Sequence, residues 1–82
     1  MPALFRISRT GSVPSIAQAA GLLSLNAGDL DAAYGVATLD RKAGSYVVLV
    51  LDSALGRVVL TDATAGPFTD LRDAGLISLR TA

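Results

Sequence analysis

The sequence predicts an α+β fold: a small two-layer sandwich whose four- to five-stranded, mostly antiparallel sheet carries one main helix. Three observations predict it. Tyr46 to Leu51 is an unbroken apolar run rich in β-branched residues, and it follows a polar, Gly-containing segment from Asp40 to Gly44, which is the pattern of a hairpin. Val13, Ile16, Ala20 and Leu23 recur at helical spacing just after Ser12 and Pro14. A length of 82 residues with 51% hydrophobic and 17% charged residues fits one domain, 1–82, with its own core.

Taken in order, Ala3 to Ser8 alternates in part, with Leu4, Arg6 and Ser8 on one side and Ala3, Phe5 and Ile7 on the other, as a first strand does. Arg9 to Ser12 reads as a turn. Ser12 is the expected N-cap and Pro14 falls in the first helical turn, where its missing N–H costs little. The helix is expected to end near Asn26 to Gly28, with the small Ala17, Ala20 and Gly21 letting it lie close to a sheet. A further helical turn capped by Asp29 and closed by Gly35 follows, and then Gly35 to Leu39 pairs with Ser45 to Leu51.

After Leu51 two readings compete. If Asp52 to Gly56 is a turn, Arg57 to Thr61 is a third strand of a meander and the order is β-α-β-β-β-α-β. If Asp52 and Ser53 cap a helix, the order is the ferredoxin-like β-α-β-β-α-β. The strand is favoured, because that helix must absorb Gly56, Val58, Val59 and Thr61. Asp62 to Pro67 reads as a loop, a short helix runs to Ala74, and Leu76 to Thr81 closes the sheet at its edge.

The chain has no His, Cys, Glu or Trp, and its acids are seven aspartates. General acid–base catalysis and the common metal sites draw on the missing types, so the sequence predicts a protein that is not an enzyme and carries no cofactor or metal. The one lysine, Lys42, lies in a polar turn, where solvation leaves it a poor base for a Ser or Thr nucleophile. Asp29 with Asp31 and Asp70 with Asp73 lack the further acids of a calcium loop.

Net charge is zero with no basic stripe, so nucleic acid is not an expected partner. No apolar run reaches the ~18 residues of a membrane span, and the amino terminus lacks a secretory apolar region. The expected setting is cytoplasmic, without membrane attachment.

The apolar run is the strongest functional signal. A strand with one wet face alternates, whereas Tyr46 to Leu51 asks for burial on both sides. Outward-facing apolar side chains at ~1.5–3 kcal/mol each are a large fraction of a small domain's stability, so either the monomer covers them or a partner does. The expected function is a protein-binding module, a homo-oligomer, inhibitor or accessory subunit, acting through an apolar sheet face or strand edge. The expected partners are a second copy in a two-fold homodimer, another protein, or both. Its contact residues are Tyr46, Val48, Val50, Val59 and Leu60, with Arg41 and Lys42 as polar contacts at the hairpin tip.

A second reading places a small ligand at the strand–helix junction, on Thr10, Gly11, Ser12 and Ser15, where backbone N–H groups and hydroxyls can meet an anion. The P-loop spacing and its lysine are missing there. The stretch from Gly11 through Leu23, followed by a hairpin ending at Val50, Leu51 and Asp52, resembles the opening of ACT-type regulatory domains. That resemblance covers about half of the chain and implies a ferredoxin-like fold binding amino acids at a subunit interface; Gly56 to Pro67 departs from it. The same layout is similar to that of subtilisin-inhibitor-type inhibitors and propeptides, but Ser78 to Ala82 carries no signature of that group. Lys42 to Tyr46 is similar to the run that opens the RNA-stacking strand of RRM domains, but Val48 and Val50 stand where the stacking aromatics belong.

Overall fold

The computed structural model describes residues 2–68. It shows a four-stranded antiparallel sheet with a helix packed on one face, a small α+β sandwich. The strands are β1 (Ala3–Ser8), β2 (Val36–Asp40), β3 (Ser45–Val50) and β4 (Thr64–Phe68), in the spatial order β2-β3-β1-β4. Helix α1 is Ile16–Leu22, and 3-10 turns occupy Ala27–Asp29 and Asp52–Arg57. The short helix expected from Thr69 or Pro67 to Ala74 lies outside the described residues apart from Pro67 and Phe68, which are in β4, and the strand expected from Leu76 to Thr81 lies outside them entirely.

The first strand and the hairpin form where the sequence puts them. Phe5 pairs with Val48 and Ile7 with Tyr46, so the apolar members of β1 and β3 share one face. On it, Phe5, Ile7, Tyr46, Val48 and Val50 pack with Ala19, Ala20, Leu23, Leu25, Leu30 and Ala54 into one core. On the opposite face Val47 and Leu4 are buried as well, and Arg6, the cross-strand neighbour of Val47, sets its guanidinium over the Phe68 ring at 5.9 Å. The double burial that the apolar run demands is therefore met within the chain.

Helix α1 starts and stops differently from expectation. Its N-cap is Ser15 rather than Ser12: Gln18 N–H donates to Ser15 Oγ at 3.1 Å, and Ser15 N–H donates to Gln18 Oε1 at 2.9 Å. Each side chain satisfies the other's free backbone donor, and Ser12 has no Gln or Glu three residues on to complete such a box. The helix ends at Leu22, not near Asn26 to Gly28, because Ser24 turns left-handed at φ 62°. Ser24 N–H then bonds Gly21 O at 3.1 Å and Leu25 N–H bonds Ala20 O at 2.9 Å, the paired bonds of a Schellman stop, with Leu25 folded into the core. Ala19 and Ala20 face the sheet, whereas Ala17 and Gly21 are exposed.

Asp31, not Asp29, caps the turn before β2. Its Oδ1 accepts from Ala33 and Tyr34 N–H, and Gly35 closes the turn at φ 70°. Asp29 instead ties two turns together. Its carboxylate accepts from Asn26 N–H at 2.9 Å and from Arg57 Nη2 at 2.8 Å. Those bonds hold its carboxyl below the ordinary aspartate range, first through the Asn26 N–H and then through the Arg57 guanidinium.

A depressed folded-state pKa gives stability that is present above the ordinary value and lost as pH falls through the lowered one. Asp29→Asn is thus expected to lower the urea midpoint near neutral pH. The gap to wild type should close in acid, and equal midpoints at about pH 7 and at about pH 2 alike would remove this role.

The region after Leu51 departs most from expectation. Arg57 to Thr61 is not a strand of the sheet, and Asp52–Arg57 is neither an open turn nor an α-helix but a 3-10 turn anchored by buried Ala54. The fourth strand is Thr64–Phe68, inside the segment that reads as a loop. Two local features allow it. Gly66 passes over the Phe5 ring so closely that a Cβ would lie 2.6 Å from Phe5 Cδ2. Pro67 falls in an irregularity where Gly66 and Pro67 together oppose Phe5, so its missing N–H costs no regular ladder bond.

Candidate protein-binding edge

The structure separates the expected contact residues. Tyr46, Val48 and Val50 lie wholly inside the core beneath α1, so they offer no surface in the folded chain. Their place in a contact area is corrected: alternation puts all of them on the helix-covered face. Val59 and Leu60, at 53% and 48% exposure, are together with Val13 the exposed large hydrophobic residues of the described chain. Arg41 and Lys42 are exposed at the β2–β3 turn.

Val59 and Leu60 lie on the short connection between the 3-10 turn Asp52–Arg57 and β4. Val58 is extended, with φ −65° and ψ 131°. Val59 N–H donates to Leu23 O at 3.1 Å, Thr61 N–H to Thr64 Oγ1 at 2.7 Å, and Ala63 O accepts from Ser8 N–H at 2.7 Å. Val59 is thus tied to the end of α1, and Thr61 opens the turn that carries Asp62 and Ala63, closed by Thr64 N–H donating to Thr61 O at 3.1 Å. Before that turn, Val58 and Leu60 have no backbone hydrogen-bond partner among the described residues. In an extended chain alternate residues point their N–H and C=O to opposite sides, so the side of Val58 and Leu60 is left without partners among the described residues.

The edge strands of the described sheet are β2 and β4, and Val58 to Thr61 belongs to neither. The outer side of β2 is interrupted by a register shift between Thr38 and Asp40 and leads into Asp40, Arg41 and Lys42, which are features that discourage pairing. Val58 to Thr61 holds no charge, Gly or Pro. Val58 packs against the core, which fixes the segment's orientation and leaves Val59 and Leu60 outside.

The alternative ligand site is largely used up by the fold. Thr10, Gly11 and Ser12 are exposed, with Gly11 at φ 95°. Ser15 spends its hydroxyl and its N–H on Gln18, whose Oε1 also accepts from Arg9 Nη1 at 2.9 Å. Sequence reasoning found Val59 and Leu60 but missed the backbone of Val58 and Leu60. The signal available was the charge-bounded apolar run between Arg57 and Asp62, which reads equally well as a strand inside the sheet.

Among the described residues no group of three or more His, Cys, Asp or Glu is placed to hold a metal ion, and no helix is long and apolar enough to cross a membrane. Among the described residues, site and fold together describe a small α+β sandwich with an exposed apolar segment at Val59 and Leu60. The chain matches no family model, and no curated protein or solved structure matches it.

Proposed function

We propose that this chain is a non-enzymatic protein-binding module that works in the cytoplasm through the exposed apolar segment from Val58 to Thr61. The observation that carries the reading is the half exposure of Val59 and Leu60 on a segment that Val58 anchors to the core, with the backbone of Val58 and Leu60 unpaired among the described residues. An extended segment of this kind recognises a partner by strand addition, main-chain hydrogen bonds giving affinity and alternate side chains giving selectivity. Arg41 and Lys42 supply a polar rim. Their turn is tied to the end of β1 by Arg9 N–H to Gly44 O, and Ala63 reaches that same end through Ser8.

A photoreactive residue in place of Leu60, with another in place of exposed Ser53 as control, tests the reading in cells that make the protein. A discrete protein adduct at position 60 and none at position 53 is expected. No adduct at 60, or the same adducts at both, would overturn it.

A further inference from the structure

We infer that Asp29 is the positioning residue for the binding segment: it clamps both ends of the 3-10 turn Asp52–Arg57 and so fixes how Val59 and Leu60 are presented to a partner. This inference rests on the protein-binding reading and adds the residue that sets its geometry.

The turn is poorly equipped to hold itself. Its N-cap is Leu51, whose side chain offers no hydrogen-bonding group, and it includes Gly56. Asp29 supplies what the turn lacks, at each end. Its backbone carbonyl accepts from Leu51 N–H at 2.9 Å, where the turn begins. Its carboxylate receives the Arg57 guanidinium, where the turn finishes, with Nη2 donating to Oδ1 at 2.8 Å and Nη1 to Oδ2 at 3.3 Å. A two-point contact of this kind fixes direction as well as distance. The carboxylate is itself held in place, because Oδ2 also accepts from Asn26 N–H at 2.9 Å.

The clamp ends where the binding segment starts. Arg57 is followed directly by Val58, which packs against the core, and by Val59, whose N–H goes to Leu23 O at 3.1 Å. Three successive residues are thereby anchored by three different means: a guanidinium to Asp29, a side chain to the core and an amide to the end of α1. Leu60 comes next. A segment already ordered in the free chain binds without the entropic cost of ordering it, so loss of the first anchor weakens binding although Asp29 touches no partner.

The test uses the full chain and the variants Asp29→Asn, Arg57→Gln and their double. The Arg57 side chain is 55% exposed, so Arg57→Gln leaves the core untouched and the protein folded. Backbone amide order parameters from NMR relaxation report motion within the native state, which a merely global loss of stability does not move. In both single variants the values at Val59 and Leu60 are expected to fall from about 0.85 toward about 0.6, and those at Ile7 and Val48 to stay unchanged. The double variant should add little, since each single change breaks the same contact. Adduct formation at position 60 should drop about two- to fivefold in Arg57→Gln, the range expected of an exposed ion pair.

Unchanged order at Val59 and Leu60 in the single variants, an equal second loss in the double, or loss of order with an undiminished adduct overturns the positioning role. If order is unchanged while wild type still gives its adduct at position 60, the positioning role falls and the protein-binding reading stands. If wild type gives no adduct, both fall.

Discussion

Val48→Asp is expected to unfold the protein outright. Val48 has no exposed surface, opposes Phe5 across β1 and Val36 across β2, and sits under α1 in the main core. A carboxylate there has to be buried charged or take up a proton, and either course costs on the order of 5 kcal/mol once the lost apolar packing is included. Total stability for a domain of this size lies near the low end of the usual range of about 5–15 kcal/mol. Far-UV circular dichroism at 25 °C should show loss of the β signal, and Val50→Asp should behave the same way. A folded, soluble Val48→Asp protein would mean that this strand face is a surface after all. Leu60→Lys, on an exposed side chain, is the contrasting case and should keep its melting temperature.

Gly44→Ala is expected to be the second most damaging single change, although it adds one methyl group. Gly44 has φ 68°, a left-handed conformation that costs an L-residue about 1 kcal/mol. Gly35 shares that conformation at φ 70°, and a Cβ there meets only Ala32 O at 4.0 Å. At Gly44 the Cβ would run into the backbone carbonyl of Arg9, with Arg9 C at 2.9 Å. Backbone cannot swing aside as a side-chain tip can. The Arg9 N–H to Gly44 O bond at 2.7 Å would have to break, parting the hairpin turn from the end of β1. Gly35→Ala should therefore lower Tm by about 4–8 °C, the cost of the conformation alone. Gly44→Ala should lower it at least about twice as far. Equal shifts for the two variants would show that the close approach carries no energetic weight.

The parts of the fold legible in the sequence are those whose cause is local. Ala3–Ser8 alternates, Asp40 to Gly44 has turn chemistry and Ser45–Val50 is rich in β-branched residues, and each forms where those signals lie. The helix was legible in its existence but not in its ends. Ser12 and Ser15 are equal candidates by residue type, and Gln18 decides between them through its reciprocal bond. Ser24 at φ 62° has no sequence mark comparable to a glycine, and the burial of Leu25 helps to hold it there.

The candidate site was legible as composition and misplaced as geometry. Tyr46, Val48, Val50, Val59 and Leu60 are alike in hydropathy, and hydropathy carries no information about which of them α1 will cover. Val58 to Thr61 has the residues of a sheet strand, yet it runs outside the sheet because Val59 bonds the end of α1 and Ala63 the end of β1. Thr64–Phe68 has the residues of a loop, yet it takes the free side of β1. Gly66 and Pro67, breakers in isolation, are there the features that fit the chain over Phe5 and through the register shift.

By itself, then, the sequence determined an α+β sandwich with a helix-covered hairpin, and an inventory of side chains without His, Cys or Glu. Those follow from periodicity, turn chemistry and composition, which act over a few residues. Only the tertiary structure decided, among the described residues, which apolar residues are core and which are surface, and which segment takes the free side of β1. Those outcomes depend on contacts between residues far apart in the chain, such as Gly66 over Phe5 and Val59 against Leu23, and no local pattern encodes them.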